Sequence, residues 1–279
     1  MPKVSVILPS YNCARYLPES IPSVLAQTFR DLELVVVDDG SKDDTRALVE
    51  RYRSDPRVVY IRQEHGGLPK ARNAGIEASR GEHIAFIDGD DMFVREKVEK
   101  QVRLLDSGRD VDVAYTSERY FIDGAPGHSF PSPYEKLSGD LLFFLKRSNF
   151  IHVSTVMVRR SSLGSIRFDP DLKSHEDWDF FLRLAEKGRR FRCLHEELSL
   201  IRARGDSMTT EAPVMDSSRR LVGERARTMW ADLKGGINLN TREGIRRLAR
   251  YLMLKTRAML LNFPDSPRFN RPLPYRKGA

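Results

Sequence analysis

Apolar residues in the first part of the chain form short runs, separated by stretches with helical spacing. The runs lack polar alternation, which is typical of strands buried on both faces. They cover residues 4–8, 34–37, 58–61 and 84–87. Between the first two runs, Leu17, Ile21 and Val24 recur at intervals of three and four, as on one face of a helix. Strands that alternate with helices predict a mostly parallel α/β sheet with right-handed crossovers.

The second half of the chain predicts a less regular arrangement. Strands are predicted at residues 111–115, 154–158, 191–194 and 198–201, and helices beginning at 141 and 175. Residues 123–139 are rich in Gly, Pro and Ser, which predicts a long surface loop or flap. From about residue 216 the pattern is helical. We therefore expect one α/β domain over residues 1–215 and a helical extension over 216–279.

Polar residues follow three of the predicted strands. They are the sequences Pro9-Ser10-Tyr11-Asn12, Asp38-Asp39-Gly40-Ser41 and Asp88-Gly89-Asp90-Asp91. Open α/β sheets hold their ligands in the crevice at the carboxyl ends of the strands. Asp88 and Asp90 alternate along an extended backbone, so their side chains are expected to point the same way. Hard oxygen ligands of this kind suit Mg²⁺ or Mn²⁺ bound together with a phosphate group.

Taken alone, the acids after residue 87 leave other interpretations open. They fit a polar loop cap, or the Asp-x-Asp of a haloacid dehalogenase phosphatase, although Asp91 and Met92 do not continue that pattern. An EF-hand is disfavoured because Met92 and Phe93 occupy the positions of a ligand and of the turn glycine. Neither a Gly-x-Gly-x-x-Gly after the first strand nor a Gly-Lys-Ser/Thr occurs, so dinucleotide-binding and P-loop signatures are absent.

Composition narrows the class of protein. The 279 residues include 40% apolar and 31% charged residues, as in a soluble globular protein. Cys13 and Cys193 are the only cysteines. Two such distant cysteines form no disulfide framework and have no metal-ligand spacing, which favours a reducing cytoplasm. The sequence shows no signal peptide and no uncharged stretch long enough to span a membrane.

The net charge of +8 is unevenly distributed. Residues 1–218 carry 32 Lys and Arg against 35 Asp and Glu, and residues 219–279 carry 15 against 4. A nucleic-acid-binding protein would interleave basic and aromatic residues over a whole face, so we expect no nucleic-acid partner. Residues 242–263 have an imperfect amphipathic pattern with several arginines. This helix either packs on the domain or makes a peripheral contact with an anionic membrane.

Five segments, in order, resemble family 2 glycosyltransferases, which have the GT-A (nucleotide-diphospho-sugar transferase) fold. The segments are residues 4–12, 35–45, 66–75 with Ala-Arg-Asn-x-Gly, 84–91, and 176–178 with Glu-Asp-Trp. The resemblance spans about residues 1–210. It implies that residues 1–110 bind a nucleotide sugar, most simply a UDP-sugar, and that residues 111–215 bind the acceptor.

The resemblance also implies roles for individual residues. Pro9 and Tyr11 would line the nucleotide base, and Asp39 would accept a hydrogen bond from a uracil N–H or cap the next helix. Arg72 would face the nucleotide or diphosphate, or merely lie on a solvated helix face. Asp90 would bind Mn²⁺ or Mg²⁺ directly, and Asp88 would contact the ribose or the metal.

The same resemblance makes Asp177 the candidate catalytic base of an inverting transfer, with Glu176 orienting the acceptor. The alternative is that both acids only complement a helix N-terminus. The family often has Tyr-Arg-x-His after the base, whereas Arg204 here occupies the histidine position. Arg202 and Arg204 are therefore candidates for binding the diphosphate.

The predicted activity is transfer of a sugar to a hydroxyl of a carbohydrate or lipid-linked acceptor, in surface polysaccharide or glycoconjugate synthesis. A divalent-metal phosphohydrolase and a nucleic-acid-binding protein are the alternatives. We predict that the protein is cytoplasmic. An extension of this prediction is that it makes peripheral contact with the inner face of the membrane.

Overall fold

The computed structural model of the protein describes residues 1–108, 110–204, 222 and 224. The strands of this part are β1 Val4–Ser10, β2 Leu32–Asp38, β3 Val58–Arg62, β4 His83–Phe86, β5 Met92–Phe93, β6 Val113–Ile122, β7 Ala125–Pro131, β8 Met157–Arg159 and β9 Phe191–Ala203. The helices are α1 Leu17–Leu25, α2 Thr45–Glu50, α3 Leu68–Ala78, α4 Lys97–Asp106, α5 Leu142–Leu145, α6 Arg160–Leu163 and α7 Glu176–Glu186, with a 3-10 helix at Val153–Thr155.

The described strands form one nine-stranded sheet in the order β3-β2-β1-β4-β8-β6-β9-β5, with β7 paired to β6. From β3 to β4 all pairs are parallel, as the apolar runs predict. The second half is mixed, because β8 is antiparallel to both β4 and β6, while β6 and β9 are parallel. The carboxyl ends of β1, β2, β4, β6 and β9 therefore meet at one edge of the sheet.

Helices cover both faces of this sheet. Side chains of α1, α2 and α4 pack with one face of β1 and β2, including Leu8 and Val36. Side chains of α3, α5 and α7 pack on the opposite face against Ile7, Phe86 and Tyr115. Every residue of β1 and β2 is buried, which explains their unbroken apolar runs.

The Gly-, Pro- and Ser-rich segment 123–139 differs from the prediction of a loop. It contains β7, which forms a hairpin with β6. Prolines and a glycine signalled a loop, but β7 pairs only with β6, and such an edge position tolerates proline.

Other element boundaries also differ from the predictions. The two short strands predicted at residues 191–194 and 198–201 are one strand, β9, whose polar centre includes Glu197 at an irregular register. The strand predicted at residues 154–158 begins only at Met157, after the 3-10 helix. Strand β5 was not predicted, because two residues carry no recognisable period.

The predicted extension lies outside the described residues, apart from residues 222 and 224. Its amphipathic segment 242–263 therefore has no structural account. Among the described helices, none combines the length and the apolar character needed to cross a bilayer.

Candidate active site

The loop Asp88-Gly89-Asp90-Asp91 follows β4 at the shared edge of the sheet. The loop is a turn, closed by the Asp91 N–H bonding to the Asp88 carbonyl at 3.0 Å. The expectation of an extended backbone over Asp88 to Asp90 is therefore wrong. Each carboxylate has its own partner, because strand pairing ends at Phe86 and the chain then bends.

Asp88 is bound by Arg72 of α3, which is 1% exposed. Arg72 Nη2 donates to Asp88 Oδ1 at 2.7 Å, and Nη1 donates to Glu176 Oε1 at 2.5 Å. The alternative of a solvated helix face for Arg72 is therefore wrong. Since a guanidinium presents a planar fork of donors, one side chain can join the loop after β4 to the start of α7.

The Ala-Arg-Asn-x-Gly sequence around Arg72 has a packing role in α3. Asn73 bonds both the carbonyl and the N–H of Phe168, each at 2.8 Å, and the Arg72 guanidinium lies 5.2 Å from the Phe168 ring centroid. A Cβ at Gly75 would lie 2.4 Å from Ile7 Cγ2, so only glycine lets α3 approach β1 this closely. The sequence thus fixes Arg72 against the sheet.

The three acids of the loop differ in their ionisation. Burial is the largest influence and disfavours the charged form of Asp88, but the charge and hydrogen bond of Arg72 together with the other nearby positive charges outweigh it, and the pKa of Asp88 lies below its usual value. Burial and repulsion from Asp88 raise the pKa of Asp90. Burial and both neighbouring acids raise the pKa of Asp91 well above its usual value. Burial and mutual repulsion therefore disfavour three full charges on this loop, and a bound cation would offset them.

A metal-binding arrangement is present beside Arg72. Asp88, Asp91 and His152 each offer one ligand atom, and these atoms lie within 4.8 Å of one another. Two carboxylate oxygens and one imidazole nitrogen form a donor set that suits Mn²⁺ and can serve Mg²⁺. Sequence reasoning identified no histidine as a candidate metal ligand. It missed His152 because this residue is far from the loop in sequence and only the β4–β8 pairing brings it near.

Asp90, the predicted direct metal ligand, has a different contact in this conformation. Its Oδ2 lies 2.9 Å from Arg204 Nε, and its carbonyl accepts from Arg202 Nε at 2.9 Å. Arg202 also bonds Asp123 Oδ1 at 3.0 Å and lies between the rings of Tyr16 and Phe121. The end of β9 therefore places both predicted arginines against the acidic loop.

Asp39 organises a neighbouring loop at the end of β2. Its Oδ1 accepts from Gln63 Nε2 at 2.6 Å and from the Gly66 N–H at 2.9 Å, and its Oδ2 accepts from the Gly67 N–H at 2.8 Å. Gly67 is the N-cap of α3, so Asp39 stabilises the start of α3. The alternative that Asp39 caps the next helix, α2, is wrong, because Asp44 is the N-cap there.

Tyr11 and Pro9 lie beside this loop at the end of β1. The Tyr11 ring stacks on His65 at a centroid distance of 4.0 Å and 20° between the planes, and Tyr11 is 39% exposed. The Pro9 carbonyl lies 3.0 Å from the position of a Cβ on Gly89. Pro9 itself is buried within β1, so of these two residues Tyr11 provides the exposed surface at the edge that carries the acidic loop.

Asp177 lies at the start of α7, on the other side of Glu176. Its Oδ2 accepts from Asn149 Nδ2 at 3.1 Å and its Oδ1 accepts from the Trp178 N–H at 2.7 Å. Burial, followed by repulsion from Glu176, raises the pKa of Asp177 to about 7. A carboxylate with such a pKa suits general base chemistry near neutral pH. The bond to the Trp178 N–H also complements the helix N-terminus, so the two roles are compatible.

This arrangement defines a class of protein: an α/β nucleotide-binding transferase with an acidic loop and a separate candidate base at one sheet edge. The family model of "Glycosyl transferase family 2" matches residues 5–166. The chain belongs to glycosyltransferase family 2, and the predicted family and GT-A fold class are confirmed. Membership in this family argues against the phosphohydrolase and nucleic-acid-binding alternatives.

Curated relatives agree with this family. The chain is 33% identical over 215 residues to the putative teichuronic acid biosynthesis glycosyltransferase TuaG of Bacillus subtilis, covering 75% of this chain and 82% of TuaG. It is 34% identical over 188 residues to an uncharacterized glycosyltransferase of Rickettsia typhi, covering 65% and 58%. The chain spans less than two thirds of the length of several such rickettsial relatives.

Solved structures with a similar fold include TarS of S. aureus in complex with UDP-GlcNAc. That structure has a TM-score of 0.65 and 23% identity, covering 95% of this chain and 77% of that chain. The mannosyltransferase PcManGT of Pyrobaculum calidifontis, in complex with GDP-Man and Mn²⁺, has a TM-score of 0.59 and 17% identity over 94% and 81% of the two chains. At these identities the likeness concerns the fold.

Proposed function

We propose that the chain transfers a sugar from a UDP-sugar to an acceptor hydroxyl, with inversion at the anomeric carbon. The observation that carries this proposal is the Arg72 bridge between Asp88 and Glu176. It holds the acidic loop next to Asp177, whose pKa of about 7 suits a base. The UDP and UDP-GlcNAc complexes of TarS support a UDP-linked donor.

The nucleotide would bind at the ends of β1 and β2. The partly exposed ring of Tyr11 offers a surface for the base, and the neighbouring Pro9 is buried in β1. Asp39 already accepts three hydrogen bonds, so a uracil N–H would replace one of these donors. The Gln63 amide is the donor best able to move, since Gly66 and Gly67 donate from the backbone. Arg202 and Arg204 would hold the diphosphate beside Asp90.

The acidic loop would hold a divalent ion. Asp88, Asp91 and His152 supply three close ligand atoms, and Asp90 would join them after exchanging Arg204 for the cation. A bound Mn²⁺ or Mg²⁺ would offset the charge that develops on the leaving diphosphate. The GDP-Man and Mn²⁺ complex of PcManGT supports this assignment.

Asp177 would accept the proton of the acceptor hydroxyl as that oxygen attacks the anomeric carbon. The bond from the anomeric carbon to the diphosphate breaks in the same displacement, and its electron pair leaves with the diphosphate. Attack from the opposite face inverts the configuration. Asn149 holds Asp177, and Arg72 holds Glu176, so the base and its neighbour are positioned before the acceptor arrives.

The test measures donor binding and turnover separately. Thermal shifts with UDP, GDP and CMP, each with Mn²⁺ or EDTA, should show the largest stabilisation for UDP with Mn²⁺. Asp177→Asn should keep this UDP shift while release of UDP from a UDP-sugar, with a panel of acceptors, falls about 10²–10⁴-fold. Equal shifts for all three nucleotides, or near-normal turnover in Asp177→Asn, would refute the proposal.

We further propose that the acceptor is a carbohydrate or lipid-linked molecule of surface polysaccharide synthesis, reached from the cytoplasmic side of a membrane. The name of TuaG, which refers to teichuronic acid biosynthesis, and the basic charge of residues 219–279 support this. The full chain should sediment with anionic liposomes at low salt, and a chain ending near residue 235 should not. Full-length protein that stays in the supernatant would rule out the membrane contact.

A further inference from the structure

The β6–β7 hairpin presents a pair of stacked aromatic rings. Tyr120 of β6 lies directly opposite Phe130 of β7 in the antiparallel register. Their ring centroids are 5.5 Å apart and their planes differ by 11°. Both residues are only partly buried, so part of the flat surface is accessible. Stacked rings at the end of a strand form a platform for another flat, apolar surface.

The platform faces the side of the sheet on which α7 begins. Side chains alternate along a strand, and Phe121 points toward α1, where its ring lies 4.6 Å from the Arg202 guanidinium. Tyr120 and Glu118 therefore point to the opposite face, toward Asp177. The raised pKa of the Tyr120 phenol is consistent with this placement. Burial raises this pKa most, and the charges of Glu118, Asp91 and Asp177 raise it further.

Hydrogen bonds link Glu118, two residues before Tyr120, to the segment that holds the candidate base. Glu118 Oε1 accepts from Lys136 Nζ at 2.7 Å, and Lys136 Nζ also donates to the Phe150 carbonyl at 2.9 Å. The preceding residue, Asn149, donates to Asp177 Oδ2. Among the described residues, Glu118 Oε2 has no hydrogen-bond partner, and the Glu118 side chain is 1% exposed. A buried carboxylate oxygen without a donor is costly, and a ligand hydroxyl would satisfy it.

The charges beside the platform discriminate between acceptor classes. Glu118, Asp91 and Asp177 are acids, and the ammonium of Lys136 is already bonded to Glu118. An acceptor that attacks through a phosphate oxygen would meet these acids and be repelled. A pyranose ring has an apolar C–H face for stacking and hydroxyl groups that can donate to carboxylates.

We propose that Tyr120 and Phe130 form an acceptor subsite for a neutral sugar ring. One hydroxyl of this ring is presented to Asp177, and another donates to Glu118. The subsite rests on the proposed function, because it identifies the acceptor class of that same site. Tyr120 and Phe130 thereby select the acceptor, while the residues around the acidic loop bind the donor.

The test uses the full chain with UDP and Mn²⁺. Binding of methyl glycosides of glucose, galactose, mannose and N-acetylglucosamine is measured by saturation-transfer-difference NMR, with dodecyl phosphate as the anionic alternative. At least one glycoside should bind. Tyr120→Ala and Phe130→Ala should each weaken it about fivefold to tenfold, because a stacked face is lost. Tyr120→Phe keeps the face, and His128→Ala, an exposed change on the same hairpin, is the matched control; both should bind as the wild type does.

The outcomes separate this proposal from the proposed function. If no glycoside binds the wild type, or if both alanine variants bind normally, the subsite is refuted, whatever dodecyl phosphate does. UDP affinity, measured by calorimetry, should be unchanged in all four variants, which also shows that they fold. Wild-type protein that binds a glycoside through Tyr120 but does not bind UDP would refute the UDP-linked donor and leave the subsite in place.

Discussion

Two strand ends of this protein carry similar acids but use them differently. After β2, Asp38 and Asp39 bind mostly uncharged donors from the next loop, from β3 and from the loop before α3. Asp38 accepts from the Ser41 N–H at 2.8 Å and from Tyr60 Oη at 2.6 Å, and Asp39 accepts from the loop that precedes α3. Most of these donors are neutral groups, so the carboxylates order a loop.

After β4, two of the three acids are bound by arginines. Arg72 reaches Asp88 from α3, Arg204 reaches Asp90 from beyond β9, and Ser154 Oγ donates to Asp91 at 2.6 Å. The pKa values of these acids are displaced in different directions, because burial, the arginine charges and mutual repulsion act on each acid to a different extent. Uncharged donors order the first loop, whereas arginines hold the crowded acids of the second loop, where we propose that a cation and a diphosphate bind.

The largest effect on stability is expected from removing the bridge at the second strand end. Arg72→Met leaves Asp88 and Glu176 buried without their partner, and the free energy of unfolding should fall by about 3–5 kcal/mol. Urea unfolding measures this change. Arg53→Met is the matched control, because Arg53 pairs with Glu50 on the surface, and such pairs contribute about 0–1 kcal/mol. Equal free energies of unfolding for the two variants would show that the contacts of Arg72 with Asp88 and Glu176 do not stabilise the fold.

Neutralising one acid at each strand end should change stability in opposite directions. Asp39→Asn disturbs the bonds from Gly66 and Gly67 and should cost about 1–3 kcal/mol. Asp90→Asn should be neutral or stabilising at alkaline pH, because burial and Asp88 already disfavour the charged form of Asp90. Urea unfolding of both variants at pH 8 compares them. A loss of stability in Asp90→Asn as large as that in Asp39→Asn would remove the distinction between the two ends.

The pH dependence of the transfer rate and of stability tests the role of Asp177, when the wild type is compared with Asp177→Asn. In the proposed mechanism transfer requires deprotonated Asp177, so the rate should rise about tenfold per pH unit and level off above about pH 7. The effect of rising pH on the stabilising contribution of Asp177 has the opposite sign. Because the folded pKa is raised, the folded state binds the proton more tightly, and this contribution is lost as the pH rises from about 4 to about 7. Asp177→Asn should lack both trends in rate and stability profiles; a variant that retains them would exclude Asp177 as their source.

The smallest effect is expected at Asp90 when its arginine is removed. Arg204 favours the charged form of Asp90, so Arg204→Gln should raise the pKa of Asp90 further. Carbon-13 NMR of the Asp90 carboxyl group, without metal, measures the shift. Arg62→Gln, near Asp38 at the first strand end, is the control and should leave the Asp90 titration unchanged.

The sequence by itself determined the parallel part of the sheet and the position of the acids. Runs such as residues 34–37 and 84–87 show burial on both faces, and a parallel sheet aligns its carboxyl ends, so the acids had to share an edge. The five segments in family order identified the family. The apolar runs are local signals, because each depends only on the spacing of residues within one element.

Only the tertiary structure decided which charges meet at that edge. Arg72 and Glu176 are 104 residues apart, and Arg202 bonds the Asp90 carbonyl across 112 residues. His152 approaches Asp91 because β8 pairs antiparallel to β4, a register that no local pattern encodes. Burial then sets the titration of Asp177, since desolvation depends on everything packed around a group. Periodicity predicts where a side chain is buried, but its ionic partners depend on how distant elements pack together.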